Sequence, residues 1–112
     1  MAGKFEITKS KSGKFLFNLK AGNGQIILTS QMYETLASAT QGIQSCKTNS
    51  ALDDRFERNL SSADQPYFTL KAGNGQVIGR SEMYSSVAAR DNGIVSVKTN
   101  APSADIKDLT GA

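Results

Sequence analysis

One segment of the chain occurs twice. Residues 17–50 align with residues 68–101 at a constant offset of 51 and without a gap, and 19 of the 34 positions are identical. An internal repeat of this kind defines the folding unit, and it allows each residue to be compared with its counterpart, here called its twin. The sequence predicts two repeats, 4–54 and 55–105, followed by a closing strand and tail at 106–112.

The length of the chain indicates that the two repeats share one core. A unit of about 50 residues buries too little of its own surface to be comfortably stable, whereas 112 residues can build an ordinary core. We therefore expect a single domain, 1–112. No apolar stretch approaches the roughly 20 residues that cross a bilayer, and no signal peptide is visible, so a cytoplasmic protein is expected.

The first part of each repeat is predicted to form three antiparallel strands. Phe17 and Leu19 alternate with polar residues, as in a half-buried strand, and their twins are Phe68 and Leu70. The Asn-Gly pair beginning at Asn23 recurs in the second copy and predicts a hairpin turn, because both residues tolerate a positive φ. The predicted strands are 4–8, 15–20 and 25–29, with counterparts at 55–59, 67–71 and 76–80.

An amphipathic helix is predicted after the third strand of each repeat. Ser30 and Ser81 are the expected N-caps, with Thr35 or Ser85 as alternatives. Each helix is expected to end at a Lys-Thr-Asn sequence whose Asn takes the left-handed conformation. The apolar stripe repeats at spacings of four, seven and three and comprises Met32, Leu36, Ile43 and Cys46, with twins Met83, Val87, Ile94 and Val97.

Both predicted helices contain a glycine, Gly42 in the first and Gly93 in the second. Glycine inside a helix costs about 1 kcal/mol relative to alanine, so its presence in both copies needs a cause. We expect the helix backbone to approach the sheet or the other helix closely; a ligand pressed against the backbone is the alternative. Tyr33 and Tyr84 are interpreted as packing over the seam between helix and sheet.

The offset of 51 can be applied once more. Residues 106–110 then fall on the register of 55–59 and 4–8, which suggests a closing strand after the second helix. The predicted order is β-β-β-α, β-β-β-α, β.

With this pattern the chain resembles the YegP-like family of small bacterial proteins, in its two-repeat form. The resemblance rests on Phe-x-Leu-Lys-Ala-x-Asn-Gly-Gln from Phe17 and from Phe68, on Ser-x-Met-Tyr from Ser30 and from Ser81, and on Asn-Gly-Ile-x-Ser-Val-Lys from Asn92. It implies an α+β fold in which the two β-β-β-α units share one antiparallel sheet, with both helices on one face. It further implies pseudo-twofold symmetry and an exchanged terminal strand. The family has no established activity.

The residue types that enzymes use are sparse, so no catalytic residue, cofactor or metal is expected. The chain has no histidine, the commonest general base and metal ligand. Cys46 lies on the apolar stripe and its twin is Val97, which indicates a small core residue rather than a nucleophile. Asp53 and Asp54 are adjacent on a linker, where neighbouring side chains point apart. Ala-Gly-Asn-Gly lacks the lysine of a phosphate-binding loop and is read as a turn.

The sheet face opposite the helices is the candidate binding surface. In the first copy it is predicted to carry Leu16, Asn18 and Lys20, and in the second Tyr67, Thr69 and Lys71, with Ile26/Val77 and Leu28/Gly79 nearby. A protein-interaction, self-assembly or accessory module is the first hypothesis. Weak single-stranded nucleic-acid binding is the alternative, because an exposed aromatic with flanking cations can stack bases and hold phosphates. That alternative would use Lys4, Lys11, Lys14, Lys20, Lys71 and Tyr67.

The candidate partner-binding residues are therefore Lys14, Lys20, Tyr67, Lys71 and Arg80. The copies differ most at the twin pairs Leu16/Tyr67, Leu28/Gly79, Thr29/Arg80 and Ala39/Arg90. Any activity that requires one copy and not the other is expected at these four pairs.

Overall fold

The structure is a computed structural model that describes residues 3–110. Within those residues the elements follow the predicted order, three strands and a helix twice and then a final strand. The strands are β1 (Lys4–Lys9), β2 (Phe15–Lys20), β3 (Ile26–Ser30), β4 (Phe56–Leu60), β5 (Pro66–Lys71), β6 (Val77–Arg80) and β7 (Asp105–Asp108). The helices are α1 (Leu36–Asn49) and α2 (Val87–Asn100). Predicted strand residues 109–110 lie beyond β7, and residues 111–112 of the predicted tail lie outside the described chain.

All seven strands form one sheet, in the order β4-β5-β6-β3-β2-β1-β7. The repeats join through the antiparallel pair of β3 and β6, in which Thr29 lies opposite Arg80. These two residues are twins, so the pseudo-twofold axis of the molecule passes through this pair. Both helices pack on one face of the sheet, and the apolar side chains between them form one core shared by the two repeats.

The terminal strand β7 crosses to the first repeat, as the predicted strand exchange requires, and the structure shows that it pairs with β1. The pair is parallel, with Phe5 opposite Ile106, whereas an entirely antiparallel sheet was expected. The reason lies in the connection. After α1 the chain enters β4, the outer strand beside β5. The pseudo-twofold axis relates this position to the one beside β2, which β1 already fills. After α2 the chain therefore forms β7 outside β1, and β7 runs in the same direction as β1.

The opposite edge of the sheet, formed by β4, is protected by charge. Arg58 on β4 lies 3.4 Å from an oxygen of Asp91 on α2, which also contacts the largely buried Arg90 at 3.3 Å. The twins of Arg58 and Arg90 are Ile7 and Ala39, and both belong to the core. Charged side chains at the edge of a sheet oppose pairing with another sheet. The second repeat therefore has charged residues beside its outer strand β4, whereas in the first repeat the equivalent strand β1 is covered by β7.

The hairpin turns are three-residue loops and not the two-residue turn that Asn-Gly suggested. Gly24 has a φ of 86° and donates its N–H to the carbonyl of Ala21 at 2.9 Å. This is the pattern of a type I turn followed by one left-handed residue. Asn23 does not have a positive φ; its side chain instead accepts a hydrogen bond from the N–H of Gln25 at 3.0 Å. Only the glycine therefore requires the left-handed conformation.

The helices begin later than Ser30 and Ser81. Thr35 caps α1, accepting from the N–H of Ser38 at 3.0 Å, so that alternative is confirmed. The corresponding cap of α2 is Ser86, one residue beyond the predicted Ser85. Ser30 and Ser81 instead accept hydrogen bonds from the N–H groups of strands β2 and β5, which ties the loop after each third strand to its own repeat.

Two other predictions about the helices are wrong. Met32 and Met83 precede the helices and are about half exposed, because the apparent apolar stripe began one turn too early. Asn49 and Asn100 remain right-handed. The amide of each donates to the carbonyl four residues earlier at 2.8 Å, which gives the side chain a role inside the last turn.

Gly42 and Gly93 owe their conservation between the copies to two tyrosines. A β-carbon added at Gly42 would lie 2.7 Å from Cζ of Tyr33, and one added at Gly93 would lie 2.7 Å from Cζ of Tyr84. The Tyr33 ring stacks in turn on Phe17, with centroids 6.2 Å apart and planes within 13°. The close approach predicted at each glycine and the packing predicted for each tyrosine are thus the same contact. In each repeat the tyrosine ring lies between helix and sheet and touches the helix backbone at the glycine.

A β-bulge in each third strand changes which residues face the core. Leu19 lies opposite Leu28 and Lys20 opposite Ile26, so Ile27 is an extra residue between them. Leu28 is consequently on the core face and fully buried, and its predicted place on the uncovered face is wrong. Its twin Gly79 adjoins it across the axis, where an added β-carbon would lie 3.0 Å from Cγ of Leu28. The centre of the core therefore holds the side chain of Leu28 and leaves no space for a second side chain at Gly79.

Candidate binding face of the sheet

The uncovered face carries a row of polar residues that crosses the whole sheet. Each strand contributes one residue, and each residue lies directly opposite its neighbour in the ladder. The row consists of Glu57, Thr69, Arg80, Thr29, Asn18, Glu6 and Lys107. Its middle is the twin pair on the pseudo-twofold axis, and its glutamates lie at equivalent positions on either side.

Beside the axis the face forms an open cavity of about 300 Å³. Both repeats contribute to it, because β3 and β6 are neighbours in the sheet. The predicted residues Tyr67 and Arg80 are both in its lining. The complete lining is Thr29, Ser30, Gln31, Tyr67, Thr69, Val77 and Arg80.

Arg80 is the one cationic residue in the lining of this cavity, and it is exposed. It makes no side-chain hydrogen bond or ion pair with any residue in the part of the chain that the structure describes. The Tyr67 hydroxyl and the Gln31 side-chain amide, which also line the cavity, have no hydrogen-bond partner among the described residues either. The cavity therefore presents three kinds of donor that make no hydrogen bond to another described residue.

Three lysines of this face, Lys4, Lys20 and Lys71, are paired with its own glutamates. Lys20 lies 2.8 Å and Lys4 3.4 Å from the carboxylate of Glu6. In the second copy Lys71 lies 2.9 Å from Glu57. The hydrogen bond from Lys20 is the main cause that lowers the pKa of Glu6, and that from Lys71 lowers the pKa of Glu57. These three predicted basic residues are thus locally neutralised, whereas Lys11, also predicted, forms no ion pair with any described residue.

The structure brings together only part of the predicted set. Tyr67 and Arg80 share the cavity, whereas Lys20 and Lys71 flank the polar row. Lys14 lies in the turn before β2, where it pairs with Glu34 at 3.3 Å, and it does not line the cavity. Gln31 was missed, because it follows β3 in a loop and no strand pattern places it on a face.

The groups considered for chemistry lie elsewhere. Cys46 is fully buried between helix and sheet, and burial raises the pKa of its thiol to about 12. Asp53 pairs with Lys98 at 2.6 Å, while Asp54 lies 3.6 Å from Arg55, so the adjacent carboxylates do not share a site. Across residues 3–110, no group of three or more His, Cys, Asp or Glu side chains is placed to hold a metal ion. No helix there is long and apolar enough to cross a membrane.

A family model described as a domain of unknown function (DUF1508) matches the chain twice, at residues 10–57 and 61–108. The two matches are related by the same offset of 51 as the sequence repeat. Among curated relatives, a UPF0339 protein of Acinetobacter baylyi is 54% identical over 99% of this chain and 100% of its own length. The UPF0339 protein YegP of Escherichia coli is 49% identical over 98% of this chain and 100% of its own length.

Two solution NMR structures share the fold. That of a UPF0339 protein from Shewanella oneidensis superposes with a TM-score of 0.92, at 52% identity, and the match covers 98% of this chain and 93% of that one. That of YegP from Escherichia coli, described as a protein of unknown function, gives a TM-score of 0.94 at 48% identity over 100% of this chain and 97% of that one. The names of these relatives give no activity.

Proposed function

This chain belongs to the YegP (UPF0339) family in its two-repeat form, and we propose that it is a non-enzymatic module that binds a polypeptide on the uncovered face of its sheet. One observation carries the proposal. Tyr67 and Arg80 line the same cavity, beside the axis at the centre of that face. Tyr and Arg are among the residue types that contribute most to protein–protein affinity, and such residues lie near the middle of an interface.

The charges of the face favour a polypeptide over a nucleic acid. A nucleic-acid backbone is held by cations that are free to displace its counterions. Here Lys4 and Lys20 share Glu6, and Lys71 is paired with Glu57. Single-stranded nucleic acid also needs several aromatic rings in succession, whereas the described part of this face offers Tyr67 and no second ring.

The environments of the Cys46 thiol and of two carboxylates on the uncovered face support a non-enzymatic role. The Cys46 thiol is buried and its pKa is raised to about 12, so it is protonated at neutral pH and inaccessible to a substrate. The carboxylates of the uncovered face, Glu6 and Glu57, are held by lysines and have lowered pKa values, the opposite of what a general acid at neutral pH requires.

A displayed library of random peptides tests the proposal. Peptides selected on the wild-type protein should perturb the NMR resonances of Asn18, Thr29, Thr69 and Arg80 and leave those of the outer helix surfaces unchanged. Tyr67→Leu introduces the residue of its twin Leu16, and it should weaken the selected peptides about tenfold or more. Val95→Gln is the matched control, because Val95 is exposed on α2 and its twin is Gln44.

Failure to select any peptide, or selected peptides that map to the helix surfaces, would overturn the proposal. A parallel titration with mixed-sequence single-stranded RNA and DNA at low salt tests the alternative. Resonance shifts at Lys20, Tyr67 and Lys71 in that titration, without any peptide binding, would replace the polypeptide with a nucleic acid.

A further inference from the structure

The central cavity contains a charged group that the fold does not use. Of the cations on the uncovered face, Lys4, Lys20 and Lys71 are paired with glutamates, whereas Arg80 at the axis and Lys107 on the edge strand β7 form no ion pair with any described residue. Of these two, Arg80 lines the cavity. Its twin is Thr29, whose hydroxyl donates to the side-chain oxygen of Asn18 at 2.8 Å. The first repeat thus places at the axis a residue that hydrogen-bonds within its own sheet, and the second places there a cation that pairs with no described residue.

We propose that the Arg80 cavity binds the carboxylate of an acidic side chain, an inference that rests on the proposed function for the identity of the ligand as a polypeptide. A guanidinium presents a planar fork of N–H donors that matches a carboxylate with two parallel hydrogen bonds. The Tyr67 hydroxyl and the Gln31 amide line the same cavity and supply further donors. The apolar contact beside them comes from Val77, which suits the methylene groups of a glutamate.

A single carboxylate fits this cavity better than a phosphate. Phosphate sites combine several cations or a run of free backbone N–H groups. Here the cation next along the face, Lys71, is held by Glu57 at 2.9 Å. Thr69, which lines the cavity, donates to the other oxygen of Glu57 at 3.4 Å, so both the Lys71 ammonium and the Thr69 hydroxyl are already engaged by Glu57. A second negative charge on the ligand would therefore meet no second unpaired cation in the cavity.

The first experiment uses small probes and does not require a peptide ligand. The N-methylamides of N-acetylglutamate and N-acetylglutamine are titrated into isotope-labelled protein, and the Nε–Hε resonance of Arg80 is followed. The glutamate probe should shift this resonance saturably, and the glutamine probe should not. Inorganic phosphate serves as a third probe and should bind more weakly than the glutamate probe. Equal shifts from the two amino-acid probes, no shift at all, or tighter binding of phosphate would overturn the carboxylate assignment.

The second experiment uses selected peptides. Wild-type protein should enrich Asp or Glu at one fixed position, and replacing that residue by its amide should weaken binding about tenfold or more. In Arg80→Gln the acid and the amide should bind equally, while Lys71→Gln, which removes the same charge outside the cavity lining, should keep the preference. Peptides that bind the face with no acidic preference would refute the carboxylate site and leave the proposed function standing. A glutamate probe that binds at Arg80 when no peptide can be selected would leave the site standing and refute the proposed function.

Discussion

The ring of Tyr33 occupies the space above Gly42 that a side chain at that position would need. An added β-carbon would lie 2.7 Å from the ring carbon Cζ and 3.1 Å from Cε2 of Phe17. The backbone of Tyr33 is held in place, because it forms a bridge with Phe15 through two hydrogen bonds of 2.6 and 2.7 Å. The contact between ring and glycine recurs at Tyr84 and Gly93, where a single hydrogen bond, from the N–H of Tyr84 to the carbonyl of Pro66, replaces the bridge. Whether a substitution at Gly42 raises or lowers the free energy of unfolding therefore depends on Tyr33.

We expect Gly42→Ala to destabilise the protein by about 1–3 kcal/mol, as overpacking does, although alanine is the better helix former. In a Tyr33→Ala background the ring is gone, and the same substitution should stabilise by about 0.5–1 kcal/mol. Urea unfolding of the four proteins in this cycle measures both values. Destabilisation of equal size in the two backgrounds would show that the tyrosine is not the cause.

A second prediction concerns the axis. An alanine at Gly79 would place its β-carbon 2.8 Å from the carbonyl oxygen of Thr29 and 3.0 Å from Leu28, and a backbone oxygen in a ladder cannot move aside. Gly79→Ala should cost about 1–3 kcal/mol. Gly73→Ala is the matched control, because its β-carbon would meet only the flexible guanidinium of Arg55 at 3.3 Å, and it should be close to neutral. Thermal unfolding that ranks the two variants equally would contradict this account.

The third prediction is a loss of stability in acid. The pKa of Glu57 is lowered by its hydrogen bond to Lys71, and that of Glu6 by its hydrogen bond to Lys20. In the unfolded chain these groups titrate near pH 4.3, so between the two pKa values the unfolded state binds more protons. Their contribution to stability is therefore complete above about pH 5 and is lost as the pH falls through the folded-state pKa values.

Urea unfolding at neutral pH and at pH 3 checks this dependence. Glu57→Gln should lower the midpoint at neutral pH, and its difference from wild type should shrink at pH 3. Glu82→Gln provides a control with the same change in net charge, because Glu82 makes no ion pair with any described residue. If Glu82→Gln reproduced the effect, net charge rather than the Lys71 pair would explain it.

The fourth prediction concerns the single cysteine. Burial raises the pKa of the Cys46 thiol to about 12, so the thiol is protonated at neutral pH, and its burial blocks access as well. A thiol-specific disulfide reagent should leave the native protein unmodified over the time in which the urea-unfolded protein reacts fully. Rapid reaction of the native protein would place Cys46 at the surface and reopen a chemical role for it.

The features that the sequence predicted well depend on local interactions. Alternation placed Phe17 and Leu19 on the core side, and the side chain of Thr35 suffices to start a helix. The bulge in β3 could not be foreseen, because its extra residue, Ile27, lies within an apolar run with no glycine or proline to mark it. The direction of β7 depends on β1 filling the position beside β2, a fact about the assembled sheet.

The candidate site was predicted without a sequence motif. Strand alternation placed Tyr67 on the uncovered face as an aromatic residue with flanking cations, and Tyr67 and Arg80 both belong to twin pairs at which the copies differ. A β5–β6 hairpin was enough to bring the two residues together. That the cavity also includes Thr29 and Gln31 depends on the pairing of β3 with β6, which joins the repeats and has no local signal. Lys14 was included for its charge alone, and its pairing with Glu34 depends on a loop whose course the sequence does not specify.

The residues at the axis show what joining the repeats in one chain makes possible. Where two identical subunits meet on a twofold axis, a residue on the axis faces a copy of itself. An arginine there would oppose an arginine, and a leucine would compete with a leucine for one space. In this chain Arg80 faces Thr29, and Leu28 packs against Gly79. Because the two repeats are joined in one chain, the two residues that meet on the axis need not be identical. A single arginine can therefore lie at a position where a symmetric dimer would have two.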